Sequence, residues 1–200
     1  MLFFTTKLSL VMSDRIVFRE AKSVRLVHLE ESDAEILVRF VNNPEITQFI
    51  GRRYPITEAK EKSWLKDARE SMDESPVFGI EVDNTLIGTM SLEKGDEVNR
   101  TAETGAMIGR PDYQGQGYGT SAKMLLLKYA FDELNLRIVY SRVYAFNEAS
   151  QAYSQKCGYE HVATLPDKQY VKGEFVDELI FQVTHGMWRP QFEKWQKDDL

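Results

Sequence analysis

A chain of 200 residues, 42% hydrophobic and 28% charged, suffices for one globular domain with a sizeable core. Its net charge of −6 argues against a nucleic-acid surface, which needs a basic excess, and is compatible with a cationic ligand. The one cysteine, Cys157, excludes an intrachain disulfide framework and a multi-cysteine zinc site, and the 3 histidines are scattered with no H-E-x-x-H pair.

No apolar run approaches the roughly 20 residues of a membrane span. The opening MLFFTTKLSLVMSD is mildly apolar, is interrupted by Lys7 and lacks a positive n-region. It reads as an upstream extension with Met12 as a candidate start. The expectation is a cytoplasmic protein with no membrane and no nucleic-acid partner.

In chain order, SVRLVHL (23–29) alternates and is β-branched, which predicts a strand. Ser32 or Asp33 caps a helix with Ile36, Leu37, Phe40 and Val41 at helical spacing, ended by Asn43-Pro44. Residues 56–72 form a second helix capped by Thr57. The period then changes. PVFGIEV (76–82), the turn Asp83-Asn84 and TLIGTMSLEK (85–94) read as a hairpin, and 102–110 as the next strand. A helix over 121–134 carries an apolar face of Met124, Leu127, Ala130 and Phe131. Strand 137–145 is apolar enough to be central. A short helix over 147–159 is capped by Asn147 and stopped by Gly158, and 168–184 is a hairpin turning at Lys172-Gly173. The order β-α-α-β-β-β-α-β-α-β-β predicts a mixed α/β domain with a β-α-β unit in its middle.

Between strand 102–110 and helix 121–134 lies PDYQGQGYGT. A strand, a glycine loop and a helix in series make an anion site. The free N–H groups of the first helical turn and the helix dipole face the ligand, and glycine lets the backbone come close. The dinucleotide fingerprint G-x-G-x-x-G fails here, since Thr120 stands where its last glycine would, and the G-K-[ST] of a P-loop is absent.

Gln114-x-x-Gly117-x-Gly119 fits [QR]-x-x-G-x-[GA], the pyrophosphate signature of the GNAT acyltransferases. NEASQAYSQKCGY resembles that family's second signature, with Asn147, Ser150, Gly158 and Tyr159 at its spacing. VRLVHLEESDAEILVRFVNNPEI, RTAETGAMIGRPDYQGQGYGTSA and YVKGEFVDELIFQV resemble the opening, central block and closing hairpin of the RimJ/RimL-type branch. The resemblance covers about residues 23–184, which sets 1–22 and 185–200 aside as extensions. It implies the GNAT acyl-CoA N-acyltransferase fold, an α/β (α+β mixed-sheet) architecture with splayed central parallel strands and helices on both faces. It also implies acetyl-CoA as co-substrate without a metal, an amine acceptor such as a peptide N-terminus or a small cationic amine, direct attack in a ternary complex, and, as in many relatives, a homodimer.

The resemblance also assigns roles. Gln114, Gly115, Gln116, Gly117, Tyr118, Gly119 and Thr120 cradle the pyrophosphate through their backbone, with Arg110 near enough to add charge. An N–H near Met107 or Ile108 meets the thioester carbonyl. Glu103, eleven residues before Gln114, takes the place of the general base in some members. Asn147 and Ser150 lie along the pantetheine arm, though Asn147 is equally a helix cap. Where many relatives carry an acidic tyrosine, this chain has Ser154, with Tyr153 one residue earlier; these two are the candidate proton donors. The absent tyrosine leaves a second reading, a coenzyme A-binding sensor or structural subunit with little catalysis. Cys157 reads as a small buried apolar residue. Trp64 and residues 52–55 line the acceptor side in relatives or serve as core, and Glu30, Glu31, Asp33, Glu58 and Glu61 favour cations or form a solvated face.

Overall fold

The computed structural model describes residues 15–197. The chain runs β1 (Val17–Ala21), β2 (Val24–His28), α1 (Ala34–Asn42), α2 (Pro44–Ile50), α3 (Glu58–Glu70), β3 (Val77–Val82), β4 (Thr85–Lys94), β5 (Thr101–Ile108), α4 (Tyr118–Lys128), β6 (Ile138–Tyr144), α5 (Glu148–Lys156), β7 (Glu160–Val171), β8 (Glu174–Val183) and α6 (His185–Gln196). The candidate start Met12 and the first 14 residues lie outside the described residues.

The strands form one 8-stranded sheet in the order β1-β2-β3-β4-β5-β6-β8-β7. All neighbours are antiparallel except β5 and β6, which are parallel and joined through α4. Asp83 and Asn84 both take positive φ, the geometry of a tight hairpin between β3 and β4. Each sheet face carries a core. On one face Ala102, Ile80 and Phe181 pack with Met124, Leu126 and Leu127 of α4. On the other, Leu29 and Leu86 pack with Leu37 and Phe40 of α1 and Leu65 of α3, with Met107 and Trp64 against them.

The structure adds three elements to the sequence reading, β1, α2 and α6, and lengthens a fourth, β7. Asn43-Pro44 ends α1 and also starts α2: the Asn43 side chain accepts from the Glu45 N–H at 3.0 Å and Pro44 fills the first helical position. β1 is a short, half-exposed edge strand. β7 begins at Glu160 rather than 168, because an exposed edge strand interrupted near Pro166 shows no apolar alternation. α6 places Trp188, Phe192 and Trp195 in the main core at i, i+4 and i+7. Residues 17–21 and 185–196, outside the 23–184 unit of the sequence reading, thus pack on the same body. Helix α4 starts at Tyr118, three residues earlier than expected, and passes into one π-helical turn over Tyr129–Glu133. Among the described residues no helix is long and apolar enough to cross a membrane, and no group of three or more His, Cys, Asp or Glu is placed to hold a metal.

Candidate active site

Strand β5 is paired with β4 along its length, from Gly88 opposite Ile108 to Lys94 opposite Ala102. Toward β6 the pairing lasts only from Thr101–Ile138 through Ala102–Val139 to Glu103–Tyr140. Past that point β6 continues to Tyr144 paired with β8 alone. The two parallel strands therefore splay, and Gly105 to Ile108 border a gap that is closed at Glu103.

Alternation decides which β5 peptide groups face this gap. The Gly109 N–H donates to the Ile87 carbonyl at 2.8 Å, and a side chain on Gly88 would collide with the Met107 carbonyl. Met107 thus turns its peptide groups to β4, and Ala106 and Ile108 turn theirs to the gap. The Ile108 carbonyl there accepts from Gln114 Nε2 at 3.0 Å.

The glycine loop lies at the open end. Gly115 and Gly117 have φ of +73° and +83°, and a Cβ on either would meet nothing within 4 Å, so the left-handed backbone rather than crowding calls for glycine. Gly117 caps α4 without any side-chain bond, and the first helical bond runs from the Ser121 N–H to the Gly117 carbonyl at 2.9 Å. Among the described residues, the N–H groups of Gly115 through Thr120 have no acceptor. Consecutive free donors on an exposed loop, at the positive end of a helix, are an arrangement able to hold an anion. Arg110, which precedes the loop, is turned to β4 and α1, with Nε donating to the Leu86 carbonyl at 3.0 Å and its guanidinium 6.0 Å from the Phe40 ring centre.

Side chains of β5 divide between the two faces. Glu103 points with Met107 to the α1 and α3 face and is partly exposed. Arg142 of β6 reaches across the splay to it at 2.9 Å, and also holds the nearly buried Glu178 of β8 at 3.2 Å. Hydrogen bonding to Glu103, then the charge of Glu103 and bonding to Glu178, raise the Arg142 guanidinium above its usual range. Thr104 points the other way, under α4. Its hydroxyl donates to the Tyr140 carbonyl at 3.2 Å, lies 2.9 Å from the Tyr159 hydroxyl and accepts from Lys123 Nζ at 2.5 Å. Lys123 is fully buried, its Nζ about equally distant from the Tyr153 and Tyr159 rings at 5.3 and 5.2 Å.

The α5 residues sit on that same side. Asn147 caps the helix, its Oδ1 accepting from the Ser150 N–H at 3.1 Å, while its amide nitrogen has no partner among the described residues. Ser154 is fully buried with its hydroxyl unbonded. Burial holds the Tyr153 hydroxyl well above its usual range, which makes it a poor acid. Neither Tyr153 nor Ser154 shares a sheet face with Glu103. Cys157 is buried and its thiol is pushed up to about 12, so it is inert. Of the early acidic residues, Asp33 is buried against Arg15 at 2.5 Å, Glu58 pairs with Lys62 at 2.8 Å, Glu61 is buried, and Glu30 and Glu31 are exposed.

Sequence reasoning missed Arg142, Glu178 and the Thr104–Lys123 bond. For Lys123 a signal was present: it lies four residues before Leu127, on the same helical face.

A mixed sheet whose one parallel pair splays beyond Glu103, with a glycine loop and a helix start at the open end, is the architecture of the GNAT acyltransferase fold. A family model described as the acetyltransferase (GNAT) domain matches residues 23–160. The ribosomal N-acetyltransferase YdaF assigned in Bacillus subtilis (strain 168) is 34% identical over 110 residues, spanning 55% of this chain and 60% of that protein. Spermidine N(1)-acetyltransferase of Escherichia coli (strain K12) is 29% identical over 165 residues, 81% of this chain and 88% of that one. In fold, the crystal structure of spermidine N-acetyltransferase from Vibrio cholerae with CoA and spermine superposes with a TM-score of 0.77 at 21% identity, covering 84% of this chain and 98% of that one. The chain belongs to the GNAT acetyltransferase family.

Proposed function

We propose that this protein, of the RimJ/RimL-type branch, transfers the acetyl group of acetyl-CoA to a primary amine by direct attack in a ternary complex. The unpartnered N–H run from Gly115 to Thr120, at the open end of the β5–β6 gap, carries the reading. Those donors, with Gln114 holding the Ile108 carbonyl, cradle the pyrophosphate. The pantetheine arm follows the free edge of β5, within reach of the spare amide of Asn147 and of Ser150. The N–H of Ile108 faces the gap and is better placed than that of Met107 to steady the thioester oxygen as it gains charge.

The acceptor is a peptide N-terminus or a small cationic amine, the classes to which the names of the Bacillus and Escherichia relatives belong. An alkylamine with a pKa of about 10 arrives protonated and must lose a proton before attack. Glu103, on the face of the sheet opposite α4, takes that proton directly or through water, from a carboxylate already fixed by Arg142. Ser154 is buried and the Tyr153 hydroxyl is held well above its usual range, so neither is a ready donor, and the thiolate, of pKa about 8.5, leaves unaided or takes a proton from water. The one buried cysteine supports a cytoplasmic setting.

Calorimetry with acetyl-CoA, beside a Gly117→Trp variant, tests the reading. A Cβ at Gly117 meets no neighbour, so the variant folds, but its side chain and strained φ occupy the cradle. Binding that the variant abolishes supports the assignment. Equal binding by both proteins, or none by folded wild type, overturns it.

A further inference from the structure

The end of the β5–β6 ladder has an identifiable cause. At Glu103–Tyr140 the regular pairing stops, and the next carbonyl contact is made by a side chain, Thr104 Oγ1 to Tyr140. A hydroxyl has one proton and two lone pairs. The Thr104 proton goes to the Tyr140 carbonyl, and its lone pairs accept from the Tyr159 hydroxyl and from Lys123 Nζ. The oxygen is therefore saturated, and it ties together β5, β6, α4 and the residue that leads from α5 into β7. The three side chains are 4%, 2% and 0% exposed for Thr104, Tyr159 and Lys123. A lysine so enclosed, with no carboxylate in ion-pair contact among the described residues, is a poor choice for stability. Apolar residues of like size would fill the space between α4 and the sheet.

We propose that Lys123 is a positioning residue: through Thr104 it wedges β5 from β6 and fixes the width of the gap that receives the pantetheine arm. The inference rests on the acetyl-CoA reading above. Lys123 touches no coenzyme atom. It acts by holding Thr104 in the rotamer that takes the Tyr140 carbonyl from the backbone ladder, and it links this fork to α4, whose first turn is the anion cradle. The titratable groups around it are Glu103 on β5, Tyr153 on α5, and Cys157 and Tyr159 beyond α5. None is an ionised partner in contact with it, so the wedge works by its hydrogen bond and its length rather than by a salt bridge.

The test compares wild type with Lys123→Met, Thr104→Val and the double variant, each against acetyl-CoA and against 3′,5′-ADP, which reaches the cradle but not the gap. Acetyl-CoA affinity is expected to fall about tenfold in each single variant and no further in the double, because both act through one oxygen. Affinity for 3′,5′-ADP should stay within twofold. A lysine that only fills the core would leave both affinities unchanged, and that result overturns the proposal, as does a parallel loss for both ligands or additive losses in the double variant. Should Lys123→Met fail to fold, Thr104→Val alone decides by the same two affinities. Failure of wild type to bind either ligand would instead refute the coenzyme reading.

Discussion

Lys123→Met should stabilise the protein near neutral pH, and the gain should shrink as the pH rises. Lys123 is fully buried, and burial brings its ammonium from 10.5 down to about 8. The unfolded chain keeps this proton up to about pH 10.5, whereas the folded chain releases it near 8. Between those values the unfolded state binds more protons, so native stability rises with pH through the window and the full penalty applies below it. The gap between 10.5 and about 8 converts to about 3 kcal/mol at pH 7 and to about 1 kcal/mol at pH 9.5. Methionine has similar length and no charge, and what the variant gives up is the hydrogen bond that fixes the Thr104 hydroxyl. The lost bond and ring contacts offset about 1 kcal/mol. The variant should therefore be about 2 kcal/mol more stable at pH 7 and close to wild type in stability at pH 9.5. Urea unfolding of both proteins across this range measures the difference, in which the titrations of Tyr153, Cys157 and Tyr159 largely cancel. A difference independent of pH, or a variant less stable at pH 7, would refute the reasoning.

Glu103→Gln should lower the rate of acetyl transfer about 100-fold near neutral pH and recover as the pH approaches the amine's own value of about 10, because a neutral amine needs no base. A rate–pH profile checks this, and unchanged neutral activity removes Glu103 from the mechanism. Cys157 should resist thiol reagents in the folded protein and react on unfolding, since burial raises its thiol to about 12; rapid labelling under native conditions would contradict the structure. Trp188→Ala should destabilise the protein by about 3–5 kcal/mol, because Trp188 is fully buried among Phe131, Phe192 and α4. A loss below 1 kcal/mol in thermal unfolding would mean that α6 is not part of the core.

The glycine loop was legible because its requirement is local. Positive φ at two positions and bare amides at a helix start are demanded by backbone geometry, and only glycine supplies the first without strain. The hairpin at Asp83-Asn84 and the Asn147 cap were legible for the same reason: each is settled within four residues. Arg142 was not, since its meaning comes from Glu103 and Glu178, 39 and 36 residues away in sequence and on different strands. Strand β7 was half missed because an edge facing solvent needs no alternation. Helix α6 was missed because Pro190 and polar neighbours mask a three-aromatic stripe that is plain once 188, 192 and 195 are read at helical spacing. Of the two candidate donors on α5, Ser154 is buried and Tyr153 is partly buried. The hydroxyl that does reach the fork belongs to Tyr159, beyond the helix.

One strand distributes the parts of this site, and its register is what keeps them apart. On β5, Glu103 and Met107 face α1 and α3, Ala102 and Thr104 face α4, and the peptide groups of Ala106 and Ile108 face the gap. A slip of one residue against β4 would exchange all three sets: Thr104 would move to the acceptor side, Glu103 would be buried under α4, and Met107 would replace Ile108 at the gap. The slip is blocked where side chains are missing. Gly88 leaves just enough room for the Met107 carbonyl, and Gly109 lies against the Phe40 ring, where any Cβ would overlap it. These two close approaches pin β5 to β4 and to α1 at its open end, while the saturated Thr104 oxygen pins it at the closed end. The gap is thereby set by contacts within the protein itself. A backbone fixed in this way is the condition under which N–H donors act most strongly on a developing charge.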